Sequence, residues 1–263
     1  MRNIAIGSGL TLLAAVMVSS PVMAGGNIGL GVSMAPDYEG SDESEGGPVL
    51  FGRYDWDSGR YVALGGTNEA GRAMRVRANL ISNDMSPTWE LGPVLQYRME
   101  RDDVDNNRVD NMKDIDAATE LGAYIGFKSG PWAATLTYAT DVSDEHDGAV
   151  TELAGSYALG ISSELTLRFG ASISYADSDY MDTYFGVNAK NVGTSNLPSY
   201  NADSGMKDAG LKVTADYKLN QNWGLQGGLA YYRLLNDAED SPLVDDVGDS
   251  SQLSASVAVT YTF

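Results

Sequence analysis

The last twelve residues, Gln252 to Phe263, alternate between apolar and polar positions. Leu253, Ala255, Val257, Val259, Tyr261 and Phe263 share one face; Gln252, Ser254, Ser256, Thr260 and Thr262 share the other, and Ala258 is neutral. A side-chain period of two defines a β-strand with one greasy and one polar face. The pattern recurs along the chain. Leu211, Val213, Ala215, Tyr217 and Leu219 oppose Lys212, Thr214, Asp216 and Lys218, and Leu165, Leu167, Phe169, Ala171, Ile173 and Tyr175 oppose Thr166, Arg168, Gly170, Ser172 and Ser174. With Gly, Asn and Asp as punctuation, strands are predicted over 27–35, 48–56, 60–68, 72–82, 88–100, 116–128, 131–141, 148–158, 164–175, 209–219, 222–235 and 250–263.

The connections alternate in length. Short breaks fall at Asp57-Ser58-Gly59, Asn83 to Pro87, Ser129-Gly130, Gly160 to Ser163 and Asn220-Gln221. Between them lie 36–47, 69–71, 101–115, 142–147, 176–208 and 236–249, all clearly longer except 69–71 and together holding most of the acidic residues. Short turns at one end and long loops at the other describe an all-β, up-and-down antiparallel barrel of about twelve strands, with long outer loops and short periplasmic turns. Tyr180 to Val187 also looks strand-like. A thirteenth span would put the neighbouring turns on the wrong side, so this stretch is expected in a long outer or inward-folded loop.

Aromatic and charged positions fit the same topology. Trp56 ends a predicted strand, while Trp89, Trp132 and Trp223 each begin one, which puts every Trp at the periplasmic interface; Tyr97, Tyr138, Tyr175 and Tyr231 fall near the opposite strand ends. Two such girdles mark a spanning barrel. Arg75, Arg77, Arg98, Arg168, Lys212 and Lys218 lie on polar faces with Glu90, Glu120, Glu152 and Asp216. On lipid-facing positions such charges would each cost about 2–4 kcal/mol at the midplane, so they are assigned to the lumen. A lumen of this size is expected to be plugged by its charge network, or at most narrowly conducting.

The N-terminus agrees about compartment. Met1-Arg2-Asn3 is a cationic start, Ile4 to Val18 is mostly apolar, and Val22-Met23-Ala24 supplies the small residues of a cleavage site. Residues 1–24 therefore read as a secretory signal peptide and 25–263 as one barrel domain. The 263-residue chain has no cysteine, which excludes disulfides and thiol chemistry, and its net charge of −19 argues against a nucleic-acid partner. That charge suits divalent cations and a lipopolysaccharide leaflet, with weak cation contact expected at the acidic outer loops.

Candidate chemistry is sparse. His146, the one histidine, sits in Asp144-Glu145-His146-Asp147. A general base oriented by a carboxylate is one reading, but no Ser nucleophile motif accompanies it, and a solvated acidic loop tip is the expectation. Asp103, Asp105, Asn107, Asn111 and Asp114 follow calcium-loop spacing, yet Arg108 replaces the required Gly and Asp114 the bidentate Glu. No catalytic, cofactor-binding or metal-ligating residue is assigned, and no cofactor is expected.

Several blocks together resemble one family: Ala35-Pro36-Asp37-Tyr38-Glu39-Gly40-Ser41-Asp42; Tyr184-Phe185-Gly186-Val187, with Leu197-Pro198-Ser199-Tyr200 and Gly205-Met206-Lys207-Asp208; Tyr232-Arg233-Leu234-Leu235 before Asp237-Ala238-Glu239-Asp240-Ser241-Pro242; and the terminal Tyr261-Thr262-Phe263. The chain is similar over its mature length to the MipA/OmpV family of Gram-negative outer-membrane proteins. Pro36 and Gly40 suit a sharp turn off a strand, and Tyr184 and Phe185 are candidates to anchor the long loop in the barrel mouth. The resemblance implies a non-enzymatic barrel whose best-described relative is a scaffold linking a murein transglycosylase to a penicillin-binding protein in peptidoglycan growth. Other relatives are associated with osmotic response, adhesion and antibiotic susceptibility, so a narrow channel or osmotic-stress porin, or a surface adhesin, is the alternative.

Overall fold

The structure, a computed structural model, describes residues 24–263. The expected signal peptide, residues 1–24, lies outside them but for its last residue. Twelve antiparallel strands close into a barrel in which each strand pairs with its sequence neighbours and β12 returns to β1. They are β1 (Gly25–Pro36), β2 (Ser44–Asp55), β3 (Tyr61–Gly66), β4 (Ala73–Asn79), β5 (Trp89–Arg98), β6 (Ala118–Ser129), β7 (Trp132–Asp141), β8 (Ala149–Gly160), β9 (Leu165–Ala176), β10 (Gly205–Lys218), β11 (Trp223–Leu234) and β12 (Ser251–Thr262). Every strand predicted from alternation is present. Closure runs through the β1–β12 ladder, from Asn27 opposite Thr262 to Met34 opposite Ala255, so neither the first nor the last strand is left as an open edge.

Alternation sorts the side chains as predicted. On β1, Ile28, Leu30, Val32 and Met34 are all more than half exposed on the outside, where lipid replaces water as their surroundings. Trp89, Trp132 and Trp223 ring the short-turn end and pair edge-on or tilted with Phe127, Tyr157 and Tyr261 of the adjacent strands at 4.6–5.1 Å. Trp56, just past β2, meets Tyr54 in the same belt. Tyr97, Tyr138, Tyr175 and Tyr231 are exposed at the other ends of their strands.

The long connections fold back over the outer mouth and form a core of their own. Helices α1 (Asn107–Asp110), α2 (Ser178–Phe185), α3 (Ala189–Ser195) and α4 (Pro242–Asp245) lie in them. Tyr180 to Val187 is thus mostly helix α2 within an inward-folded loop. Asp177 caps α2 by accepting from the Tyr180 N–H, which satisfies one of the amides that every helix start leaves open. Its last carbonyls are met by Arg101, whose Nη1 donates to Tyr184 O at 3.0 Å, and by Ser241, whose Oγ donates to Phe185 O at 2.6 Å. Tyr184 and Phe185 are buried in the barrel mouth, as expected for loop anchors. Above them Tyr38, Val109, Met112, Val187, Leu197 and Leu243 pack as one apolar cluster. Gly40, in the turn after β1, has φ of +100°, a conformation that L side chains rarely adopt.

Candidate functional site

Beneath α2 lies a buried polar network that spans the lumen. Arg98 on β5 donates from Nε to Glu120 Oε1 on β6 at 2.6 Å and from Nη2 to Glu69 Oε1 in the 67–72 connection at 3.0 Å. Gln96 links Glu69 to Arg75, and Arg75 Nη1 reaches Glu152 on β8 at 3.1 Å. Glu152 also accepts from the Asn68 backbone and side-chain amides at 3.0 and 3.1 Å. Strands on opposite walls are thereby tied across the interior. Arg75, Arg98, Glu120 and Glu152, assigned to the lumen from alternation, are all there and all paired. Nearer the periplasmic end, Tyr61 donates to Glu90 at 2.9 Å, Lys128 pairs with Glu90, and Arg168 Nη1 meets Asp216 at 3.1 Å. Arg77 lies over the rings of Tyr61 and Tyr124, at 5.8 and 5.4 Å.

A second cluster joins the first through Glu69. Lys207 is fully buried and contacts Glu39, Asp208 Oδ2 at 2.8 Å, Glu69 Oε2 at 3.6 Å and the Ala70 carbonyl at 3.1 Å. Tyr180 of α2 donates its hydroxyl to Glu39 Oε2 at 2.8 Å, which fastens the plug helix to the ions below it. These residues escape a sequence reading for a definite reason. The β9–β10 ladder shifts register between Met206 and Asp208, and such a bulge lets the consecutive Lys207 and Asp208 both point inward. Glu39 and Glu69 sit in the 36–47 and 69–71 connections, outside the alternating segments from which lumen positions are assigned.

His146 requires a correction. It is not a solvated loop tip; only 3% of its surface is exposed. The cause is Asp141, whose Oδ1 accepts from Ser143 N and Oγ and whose Oδ2 accepts from the amides of Glu145, His146 and Asp147. That wrap turns the 142–148 loop inward. His146 Nδ1 then accepts from the Gly148 amide at 3.1 Å, so Nε2 carries the proton and faces Glu120 Oε1 at 3.2 Å. The rings of Tyr180 and Tyr184 flank it at 5.3 and 5.6 Å. A carboxylate on one side and aromatic rings on others make this buried imidazole a structural tie between loop and barrel.

The 101–115 loop is pinned by protein contacts. The Asp105 amide donates to Asp37 Oδ2 at 3.0 Å, Asn106 caps α1, and Arg108 Nε holds the α3 carbonyl of Ser195 at 3.0 Å. Among the described residues no group of three or more His, Cys, Asp or Glu is placed to hold a metal ion.

Closure is asymmetric. The outer mouth is filled by α2 and the apolar cluster, whereas the periplasmic end opens into a cavity of about 820 Å³ lined by Asn27, Glu164, Arg168, Asp216, Lys218, Gln226 and Thr260. An apolar belt between aromatic girdles, a sealed backbone ladder and a polar, plugged interior define a transmembrane outer-membrane β-barrel. The sequence matches the family described as MltA-interacting protein MipA over residues 28–263, and the chain belongs to that family. Similar relatives include the outer membrane protein OmpV of Vibrio cholerae, 28% identical over 60% of this chain and 59% of that protein. Another is the MltA-interacting protein of Escherichia coli K12, 29% identical over 48% of this chain and 49% of the relative. The chain thus spans about half to three-fifths of the curated relatives it matches. Among solved structures, an outer-membrane channel from Pseudomonas putida F1 has a TM-score of 0.49 at 9% identity, covering 93% of this chain and 97% of that one. The protein resides in the bacterial outer membrane, as the relatives named outer-membrane proteins do.

Proposed function

We propose that this chain is a non-enzymatic, non-conducting outer-membrane scaffold in peptidoglycan growth. It presents its periplasmic end to a murein transglycosylase and, through it, to a penicillin-binding synthase. The observation that carries this reading is the asymmetry of the barrel. The outer mouth is shut by helix α2, its hydroxyl bond to Glu39 and the ion network beneath, while the open polar cavity of the barrel faces the periplasm. A relative named for interaction with the transglycosylase MltA supports the choice of partner. The burial of His146 among aromatic rings supports the absence of catalysis, since a general base must reach the proton it abstracts.

The test is retention of a partner from detergent-solubilised envelopes by immobilised mature protein. A murein hydrolase or synthase should be retained and should be lost when the short turns at 57–59, 129–130 and 220–221 are replaced together. Retention of neither enzyme class would remove the reading.

A further inference from the structure

The short-turn end of the barrel carries one connection longer than its neighbours need. Between β4 and β5 the chain runs through 80–88, whereas 56–60, 130–131, 161–164 and 219–222 join the other strand pairs at that end. The extra length is held by the turn beside it. The Asn83 amide donates to Ser58 O at 2.7 Å, and Arg60 Nε donates to Leu80 O at 3.1 Å. Asn79, only 5% exposed, is the hub. Its side chain donates to Gly59 O at 3.2 Å and Ile81 O at 2.8 Å, and accepts from the Ile81 and Leu91 amides at 3.1 and 3.2 Å, which uses every hydrogen-bonding position of the amide. Gly59, at φ of +81°, lies so close that an added Cβ would come 2.2 Å from Asn83 Oδ1. Ser86 Oγ closes the far side by accepting from the Thr88 and Trp89 amides at 3.2 and 2.9 Å. The two turns thus form one interlocked platform.

Its tip differs from the rest of the rim. Met85 is 69% exposed, more than any other large apolar residue among those described. Leu30, Val32, Leu211 and Leu253 stand on strands, in lipid-facing rows; Met85 lies in a turn beyond Trp56 and Trp89 of the aromatic belt. A lone exposed apolar residue needs no explanation. A rigid one on an extended loop does, because ordering the loop costs conformational entropy that an exposed tip does not return on folding. That ordering lowers the cost of binding instead, and an adaptable thioether on a fixed loop is suited to fill a partner's socket. Each turn also holds an exposed carboxylate, Asp57 and Asp84. Dipping Met85 into lipid would strip water from the adjoining Asp84 without supplying a partner. A protein socket edged with cations avoids that penalty.

We propose that the interlocked 56–60 and 80–88 turns are a docking platform for a folded periplasmic protein, which seats Met85 in an apolar socket bordered by cationic side chains facing Asp57 and Asp84. The inference deepens the scaffold reading and takes from it the class of partner, a murein hydrolase or synthase.

The chain has no cysteine, so Met85→Cys gives a single attachment point for a thiol-directed photo-crosslinker in intact envelopes. Ile161→Cys, at a position 53% exposed in the 161–164 connection of the same rim, is the comparison. Position 85 should yield an adduct with a murein hydrolase or synthase, and position 161 should not. Without crosslinker, Met85→Asp and Asn79→Ala should each lower retention of that enzyme about tenfold, the first by removing the anchor and the second by loosening the platform. Heat-modifiable migration on gels shows which variants have folded. No protein adduct at position 85, equal adducts at both positions, or undiminished retention by folded Met85→Asp protein would overturn the platform; enzyme retention by wild-type protein would still uphold the scaffold reading. An adduct at position 85 with a protein of neither enzyme class, lost when Asn79→Ala is added, would sustain the platform against the scaffold reading. One that persists there would overturn both.

Discussion

Glu120 shows what a single residue carries in this barrel. Its carboxylate is 1% exposed, takes the Arg98 Nε–H at 2.6 Å and meets His146 Nε2 at 3.2 Å. Breaking a buried ion pair on one side strands the other charge, at a cost of about 3–5 kcal/mol. Glu120→Gln should therefore lower stability by that order in urea titrations of vesicle-embedded protein, whereas a loss under about 1 kcal/mol, as for exposed pairs, would show that the network bears little strain. The loop tyrosines supply a pH test. Burial pushes Tyr38 and Tyr200 up to about 12, and burial raises Tyr184 as well, against the pull of Arg98. An unfolded tyrosine ionises near pH ~10. The folded loops hold these protons longer, so the stabilisation is complete below about pH 10 and fades as pH rises towards about 12. Tyrosinate absorbance should show a late phase that coincides with protease sensitivity of the 177–204 loop; a single early phase with the loop still protected would contradict this.

Elements were legible to different degrees, and the differences have causes. The strands announce themselves because lipid on one face and a polar lumen on the other enforce a strict period of two. Leu211 to Leu219 and Leu253 to Phe263 show it without interruption. That the 176–208 connection is a loop was also legible, since a thirteenth span breaks the topology, but its inward fold was one of two open alternatives. Its helix was not, because Tyr180, Tyr184 and Phe185 read equally well as strand. The Lys207 cluster was hidden twice over, by the register shift beside Met206 and by partners distant in sequence, such as Glu39. Seating of α2 depends on Gly148, where an added Cβ would come 2.3 Å from Tyr180 N and 2.7 Å from Asp177 Oδ1. Both are parts of the helix start, one of them backbone. Gly148→Val should displace α2 while the strands stay paired, giving raised amide hydrogen exchange over 178–185 and none over β8. Unchanged exchange in the helix would mean that its seat lies elsewhere.

At the scale of the whole molecule, the barrel arranges charge by depth. The connections at the outer mouth hold the acidic surplus, and the buried ring around Arg98 and Lys207 is rich in carboxylates. The lower lumen carries both signs in pairs, Lys128 with Glu90 and Arg168 with Asp216, and is open below. The plug separates these zones, and the account rests on its being shut. Single-channel recording of the mature protein in a planar bilayer tests this most directly. Wild-type protein should insert without discrete conductance steps, and Gly148→Val should introduce them; stable, stepwise conductance from wild-type protein at low voltage would contradict the closed barrel described here.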